Sequence, residues 1–206
     1  MSPTAQPARP FEPVADSQTT FRVILDAMAR PGSVGRLPAT DTHCPLLEAH
    51  ALATVALTLL DHEVTFAVVP GGWGTAGAED TLTRFLHTAT GSRPAPQAEA
   101  DYLFACGPLA PATLTTPKRG SLAFPDEGAT LLVLVPALAG DDGLLVTLTG
   151  PGIPDQLRRA LPTFDVAGLA ARDEANAEGP RGIDLLLLDA TGRILGLPRT
   201  TTIAAD

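Results

Sequence analysis

The chain has 206 residues, of which 45% are hydrophobic but only 4% aromatic, and a formal net charge of −9 at neutral pH. This length predicts one domain, and the composition predicts a core of aliphatic side chains. The excess of acidic residues excludes a broad nucleic-acid or anionic-membrane surface, because both need clustered Lys and Arg.

The first residues lack the pattern of a folded element or of a signal peptide. Residues 1–10 contain three prolines and no apolar run, which predicts an extended or disordered segment over 1–15 and a single α/β domain over 16–206. No apolar run is long enough to span a membrane, so we expect a cytoplasmic protein. Cys44 and Cys106 lie far apart without metal-ligand motifs, which predicts two buried free thiols.

The first strong helical pattern lies within residues 17–32. Its apolar stripe, at helical spacing, consists of Phe21, Ile24, Leu25 and Met28. The stripe predicts the core-facing side of a helix. Asp16 or Ser17 would cap its first turn, and Arg30 would complement the negative end before Pro31 and Gly32 stop it. Arg22 and Arg30 are cations that the helix does not need, so both are candidate interface or anion contacts.

Further along, hydrophobic patterns predict strands at 33–37, 64–69, 101–106, 130–135, 144–149, 183–188 and 193–198, and helices at 46–60, 78–89, 156–161 and 166–175. The strands at 130–135 and 144–149 are expected to pair as a hairpin, and so are the last two. Buried-type strands interleaved with helices predict an α/β fold whose mixed sheet is covered on both faces.

A glycine-rich loop at 71–77 separates a predicted strand from a predicted helix, and its Gly72-Trp-Gly74-Thr-Ala-Gly77 sequence matches a dinucleotide fingerprint. Trp73 opposes this interpretation, because an indole would stand where a pyrophosphate must approach the backbone. A surface loop is therefore favoured, and a nucleotide site remains the alternative.

Ionisable residues form no nucleophilic triad or metal-ligand spacing in the sequence, so we predict no catalytic residue, metal or cofactor. Arg84 and His87, on one predicted helix, either line a pocket or lie on an ordinary helix surface. Asp184 enters an apolar strand and needs a partner there. Arg199, after the neighbouring strand, is the candidate, either in a buried ion pair or in a polar cluster at an interface.

Several motifs resemble one known family when read in order. They are Phe21-Arg22-x-x-Leu25-x-Ala27-Met28-x-x-Pro31-Gly32, the Arg84–Thr88 segment, Glu127–Leu131, Leu148–Ile153, Gly182–Leu185 and Pro198–Thr201. Together they resemble the PhnH family, the H subunit of the bacterial carbon–phosphorus lyase system. The Arg84–Thr88 segment departs from the family pattern by an inserted Leu86.

The resemblance implies a three-layer α/β/α sandwich similar to pyridoxal-phosphate-dependent transferases but without the cofactor lysine. Lys118, the sole lysine, lies in a poorly patterned loop. The resemblance further implies a homodimer that joins the G, I and J subunits. With ATP, that complex forms ribose 1-phosphonate 5-triphosphate and adenine from a phosphonate.

The predicted function is thus a non-catalytic subunit of a transferase and lyase complex, without activity alone. Two alternatives are a stand-alone nucleotide-binding enzyme that uses loop 71–77 and a dimeric scaffold protein.

Overall fold

A computed structural model of the chain describes residues 9–140 and 142–206. Its strands are β1 (Arg9–Pro10), β2 (Val34–Arg36), β3 (Thr40–Asp41), β4 (Thr65–Val68), β5 (Arg93–Pro94), β6 (Tyr102–Cys106), β7 (Thr130–Val135), β8 (Leu144–Thr149), β9 (Leu157–Leu161), β10 (Asp184–Asp189), β11 (Arg193–Leu197) and β12 (Thr202–Ala205). Its α-helices are α1 (Pro13–Ala29), α2 (His50–Leu59), α3 (Ala78–Thr90), α4 (Pro111–Thr115) and α5 (Val166–Ala175), with 3-10 turns at Leu47–Ala49 and Pro125–Glu127.

Seven strands form the main sheet in the order β2-β11-β10-β7-β6-β4-β5. The five strands from β10 to β5 run parallel, and β7 pairs with β10 over six residues. β11 pairs antiparallel with β10, and β2 antiparallel with β11. The predicted mixed sheet is therefore confirmed, and so is the hairpin between the last two predicted strands.

Alternate residues of the parallel strands point to opposite faces of the sheet, and each face carries its own apolar cluster. On the first face α1, α2 and α3 pack around side chains such as Leu52, Leu82 and Phe104. On the second face α4 and α5 share the cover with a three-stranded sheet, β12-β8-β9, through residues such as Leu148 and Leu169.

The chain leaves β4 and β6 toward opposite faces of the sheet. After β4 it crosses the first face through α3 and returns as β5, whereas after β6 it crosses the second face through α4 and returns as β7. β4 and β6 are neighbours. Their diverging connections open a crevice at the carboxyl ends of these strands, and open α/β sheets commonly bind ligands at such a switch point.

The buried face of α1 agrees with the prediction only in part, since Ile24 and Met28 pack on the core as predicted but Phe21 and Leu25 do not. Thr20, Ile24 and Ala27 are buried, whereas Phe21 and Leu25 are 46% and 52% exposed. The helix lies against Gly196 of β11, where a Cβ would stand 2.5 Å from the carbonyl oxygen of Ala27. This close approach leaves room only for a small side chain at Ala27, whereas Phe21 and Leu25 lie on the outer side of the helix.

The start of α1 also differs from the prediction. The helix begins at Pro13, and the Glu12 side chain accepts a hydrogen bond from the Ala15 amide, so neither Asp16 nor Ser17 is the cap. Asp16 lies buried in the first turn and is bound by Arg9. The predicted boundary between residues 15 and 16 thus falls inside a helix, and residues 1–8 of the predicted extended segment lie outside the described residues.

Two other predictions are wrong. β7 and β8 do not form a hairpin, since β7 is central in the main sheet and β8 pairs with β9 and β12. The predicted helix at 156–161 is strand β9, because the main-chain hydrogen bonds offered by β8 outweigh the weak helical spacing of its leucines.

Candidate functional site

An ion pair lies at the amino-terminal ends of the parallel strands of the main sheet. We term this end of the strands the amino edge and the opposite end the carboxyl edge. The Asp184 carboxylate accepts hydrogen bonds from the Arg199 backbone amide at 2.7 Å and from its guanidinium at 2.6 and 3.1 Å. A further guanidinium nitrogen donates to the Pro125 carbonyl at 2.5 Å. The two side chains are only 17% and 15% exposed. The predicted Asp184–Arg199 pair is therefore present, and its role at an interface stays a prediction.

A second arginine lies beneath this pair. Arg172 of α5 is 1% exposed, and its guanidinium donates to the Pro198 carbonyl at 2.7 Å. Burial lowers the pKa of Arg172 to about 10, although the Asp173 and Asp184 carboxylates oppose this shift. Asp184 therefore pairs directly with Arg199, whereas it contributes only a nearby negative charge to Arg172, whose ion-pair partner is Asp173 at 3.6 Å. Sequence reasoning missed Arg172, although its three-residue spacing from the buried Leu169 places both on one face of the helix.

The amino edge carries one more ion pair. Lys118 donates to Asp101 at 2.5 Å, and the same carboxylate accepts from the Thr65 amide and hydroxyl at 2.7 Å. Burial raises the pKa of Asp101, but the hydrogen bonds from Lys118 and Thr65 outweigh it and leave the pKa below its usual value. This bonding ties the loop at Lys118 to the starts of β4 and β6.

The exposed side of α1 forms an apolar strip that we term the α1 stripe, consisting of Val14, Phe21 and Leu25. Their spacing of seven and four residues places them on one face of the helix. Arg22 is exposed beside it and has no hydrogen-bond or ion-pair partner among the described residues. Arg30 caps the helix end through its backbone amide, and its side chain pairs with Asp26.

Arg84 and His87 are both exposed on α3, and neither lines the cavities described below. The Nδ1 atom of His87 lies 2.8 Å from the Ser92 carbonyl. Six candidate residues were predicted, and only Asp184 and Arg199 are brought together.

The glycine-rich loop is folded differently from a dinucleotide fingerprint. Trp73 is 3% exposed, and its indole nitrogen donates to the Val69 carbonyl at 2.9 Å. The Gly71 amide donates to the Glu79 carboxylate at 3.1 Å, and this bond lowers the pKa of Glu79. The first turn of α3 therefore already has an anionic partner, the Glu79 carboxylate, and this bonding differs from that of a phosphate-binding loop.

A cavity of about 320 Å³, here termed the switch-point cavity, lies at the carboxyl ends of β4, β6 and β7. Its walls come from residues 72–74, 106–107 and 134–136, with Glu48 and Ala190 completing them. Burial, followed by the nearby Glu48 charge, raises the pKa of the Cys106 thiol. Cys106 is half-buried, whereas Cys44 is buried as predicted.

A second cavity of about 310 Å³ adjoins it at Ala190, and Arg36 and His50 are among its lining residues. Sequence reasoning found neither cavity, because Glu48 and Cys106 stand in unrelated patterns and meet only through the fold.

The described ranges, 9–140 and 142–206, contain neither a group of metal-binding side chains nor a membrane-spanning helix. There, no three His, Cys, Asp or Glu side chains group in a way that would hold a metal ion. No helix in these ranges has both the length and the apolar character required to cross a membrane.

The molecule is thus a mixed α/β protein with paired charges at one sheet edge, an exposed apolar stripe on α1 and cavities at both sheet edges, since a further cavity of about 570 Å³ lies beside Asp101 and Lys118. The family model described as bacterial phosphonate metabolism protein (PhnH) matches residues 10–204. The chain belongs to this family, so the prediction from its motifs is confirmed.

Two relatives have informative names. The chain is 33% identical over 200 residues to the alpha-D-ribose 1-methylphosphonate 5-triphosphate synthase subunit PhnH of Rhizobium meliloti (strain 1021), covering 95% of this chain and 94% of that protein. It is 32% identical over 186 residues to the putative C-P lyase subunit protein HtxG of Stutzerimonas stutzeri, covering 90% and 85%.

Proposed function

We propose that this chain is a non-catalytic subunit of a carbon–phosphorus lyase complex and is needed for phosphonate use. In that complex it would join the G, I and J subunits, which together convert ATP and a phosphonate to ribose 1-phosphonate 5-triphosphate and adenine. The observation that carries the proposal is membership of the PhnH family over almost the whole chain, with relatives named as subunits of such a synthase and lyase. Alone, the chain would have no activity.

The α1 stripe is the surface that we assign to subunit contact. Val14, Phe21 and Leu25 leave apolar area in water, and burying it against another protein would be favourable. Arg22 at its flank would supply a polar contact at the rim, where arginine is common in interfaces. We also propose that the chain is cytoplasmic and forms a homodimer when isolated. The α1 stripe would then form the dimer interface.

For the fold we propose a three-layer α/β/α sandwich similar to pyridoxal-phosphate-dependent transferases, within one domain over residues 16–206. Lys118 supports the proposed lack of cofactor, because its ammonium group is engaged by Asp101 at the amino edge. The nucleotide-binding alternative is not favoured, since the Gly71 amide already donates to the Glu79 carboxylate and the Trp73 indole is folded back onto the Val69 carbonyl.

Co-purification tests the proposal. The tagged chain, expressed with the G, I and J subunits, should retain all three through affinity purification and size-exclusion chromatography. The double variant Phe21→Asp/Leu25→Asp should fold normally, because both side chains are exposed, and should lose at least tenfold in subunit recovery.

The matched control is Leu122→Asp/Phe124→Asp, which changes two exposed apolar residues outside the α1 stripe and should not affect recovery. If the wild-type chain never associates with the three subunits, the subunit role is wrong. A chain that forms a dimer but never associates with the three subunits would favour the scaffold alternative.

A further inference from the structure

The switch-point cavity has a lining that suits one kind of ligand. It lies where the connections after β4 and β6 diverge, the place where open α/β sheets most often bind small molecules. Its volume of about 320 Å³ is sufficient for a compact ligand. The subunit role proposed above makes no use of this cavity.

Most of the wall is apolar or backbone. Trp73 contributes only an apolar ring surface, because its indole nitrogen already donates a hydrogen bond to the Val69 carbonyl. Leu134 and Val135 add aliphatic surface at the end of β7. A ligand here must therefore present mostly carbon to the protein.

Glu48 is the exception in this wall. It is half-buried, and no described residue donates a hydrogen bond to its carboxylate or pairs with it. No arginine, lysine or histidine lines the cavity. A carboxylate that lines an apolar cavity gains most from a cationic partner, since displacing its water is otherwise uncompensated.

The other ionisable group in the wall is Cys106. Burial and the Glu48 charge raise the pKa of its thiol, so it stays neutral at physiological pH and adds no competing anion. The adjoining cavity has the opposite character, with Arg36 and His50 in its lining. A cationic ligand is therefore expected to bind in the switch-point cavity, beside Glu48, rather than in the adjoining cavity.

We propose that the switch-point cavity binds a small organic ammonium ion, a protonated primary amine on a compact apolar body, with the Glu48 carboxylate as its counter-ion. The ammonium group donates hydrogen bonds to Glu48, and the apolar body packs on Trp73 and Leu134. An anion or a sugar phosphate is excluded, because it would face Glu48 without a cation.

The single tryptophan of the chain provides the readout. Fluorescence of Trp73 in the full-length protein is titrated with phenethylammonium and, in parallel, with 2-phenylethanol, which has the same apolar body but no charge. The ammonium ion should bind at least tenfold more tightly than the alcohol. Phenethylammonium should also protect Cys106 from alkylation, with the buried Cys44 unreactive in both states.

Glu48→Gln should remove the preference for the ammonium ion over the alcohol. Glu63→Gln, the same change at an exposed glutamate, should keep it. Circular dichroism and the melting temperature verify that both variants fold. Equal affinity for ammonium and alcohol, equal behaviour of the two variants, or no saturable signal at millimolar ligand would overturn the proposal and leave the subunit role unaffected.

Discussion

The two edges of the main sheet use charge in opposite ways. At the amino edge, Asp184 is bound by Arg199 and Asp101 by Lys118. At the carboxyl edge, Glu48 lines a cavity without a partner among the described residues. The carboxylate that does hold this edge, Asp189 at the end of β10, is satisfied by hydrogen bonds from Leu138, Thr191 and Arg193.

This difference indicates which charged side chains stabilise the fold and which are available to bind a ligand. A buried charge that has lost its partner is strongly destabilising, so the amino edge is sensitive to removal of either member of a pair. An unpaired carboxylate beside a cavity contributes little to folding. Substitutions at the two edges should therefore separate stability from ligand binding.

The largest effect is expected for Asp184→Asn at the amino edge. The change removes the negative charge opposite Arg199 and leaves one amide oxygen in place of two carboxylate oxygens, so the guanidinium loses its ionic partner. Arg172, which pairs with Asp173, also loses the nearby charge of Asp184. The free energy of unfolding should fall by about 3 kcal/mol. Urea unfolding followed by circular dichroism measures it.

Asp26→Asn is the control for this prediction. Asp26 pairs with Arg30 on the exposed surface of α1, where such pairs contribute about 0–1 kcal/mol. An equal loss in both variants would mean that burial does not distinguish the amino-edge pair from a surface pair.

Around the switch-point cavity, we expect backbone crowding to destabilise the carboxyl edge more than loss of the Glu48 charge. Gly72 has a φ of 78°, and an added Cβ would overlap the carbonyl oxygen of Cys106. Gly72→Ala should lower the free energy of unfolding by about 2 kcal/mol and reduce ligand access to the switch-point cavity.

Gly74→Ala separates crowding from backbone strain. Gly74 has a similar φ of 68°, but a Cβ there would meet nothing within 4 Å. Only the left-handed strain of about 1 kcal/mol should remain. If the two variants melt alike, the close approach of the loop to β6 is not important for stability.

Local patterns in the sequence were sufficient for elements whose partners lie nearby in the chain. The β10–β11 hairpin was predictable because Asp189 to Gly192 has turn chemistry between two apolar runs. The mixed sheet followed from the alternation of buried-type strands and helices. Asp184 was recognised as needing a partner because it enters an apolar strand, and Arg199 satisfies it.

The remainder depended on partners distant in sequence. β8 has the same apolar pattern as β7, and nothing local indicates that it pairs with β12 some fifty residues later. Of the predicted core side of α1, Ile24 and Met28 do pack on the core, but the close approach at Gly196 brings Ala27 against the sheet and leaves Phe21 and Leu25 exposed. Glu48 meets Cys106 only through tertiary structure, so no pattern predicts the switch-point cavity.

The smallest effect concerns acid stability at the amino edge. The pKa of Asp101 lies below its unfolded value, so its pairing stabilises the fold above about pH 5 and is lost as the pH falls through the folded pKa. Asp101→Asn should lower the free energy of unfolding by about 1 kcal/mol at pH 7, because the pair with Lys118 is about one-third exposed. The difference from the wild type should be smaller at pH 3 than at pH 7.

Glu48→Gln sharpens the contrast with the carboxyl edge. Since Glu48 has no partner among the described residues, its loss should change the free energy of unfolding by less than about 0.5 kcal/mol at either pH. Urea titrations at pH 7 and pH 3 compare both variants with the wild type. If Glu48→Gln lost as much stability as Asp101→Asn, the carboxylate would be holding the fold, and the division of charge between the two edges would be wrong.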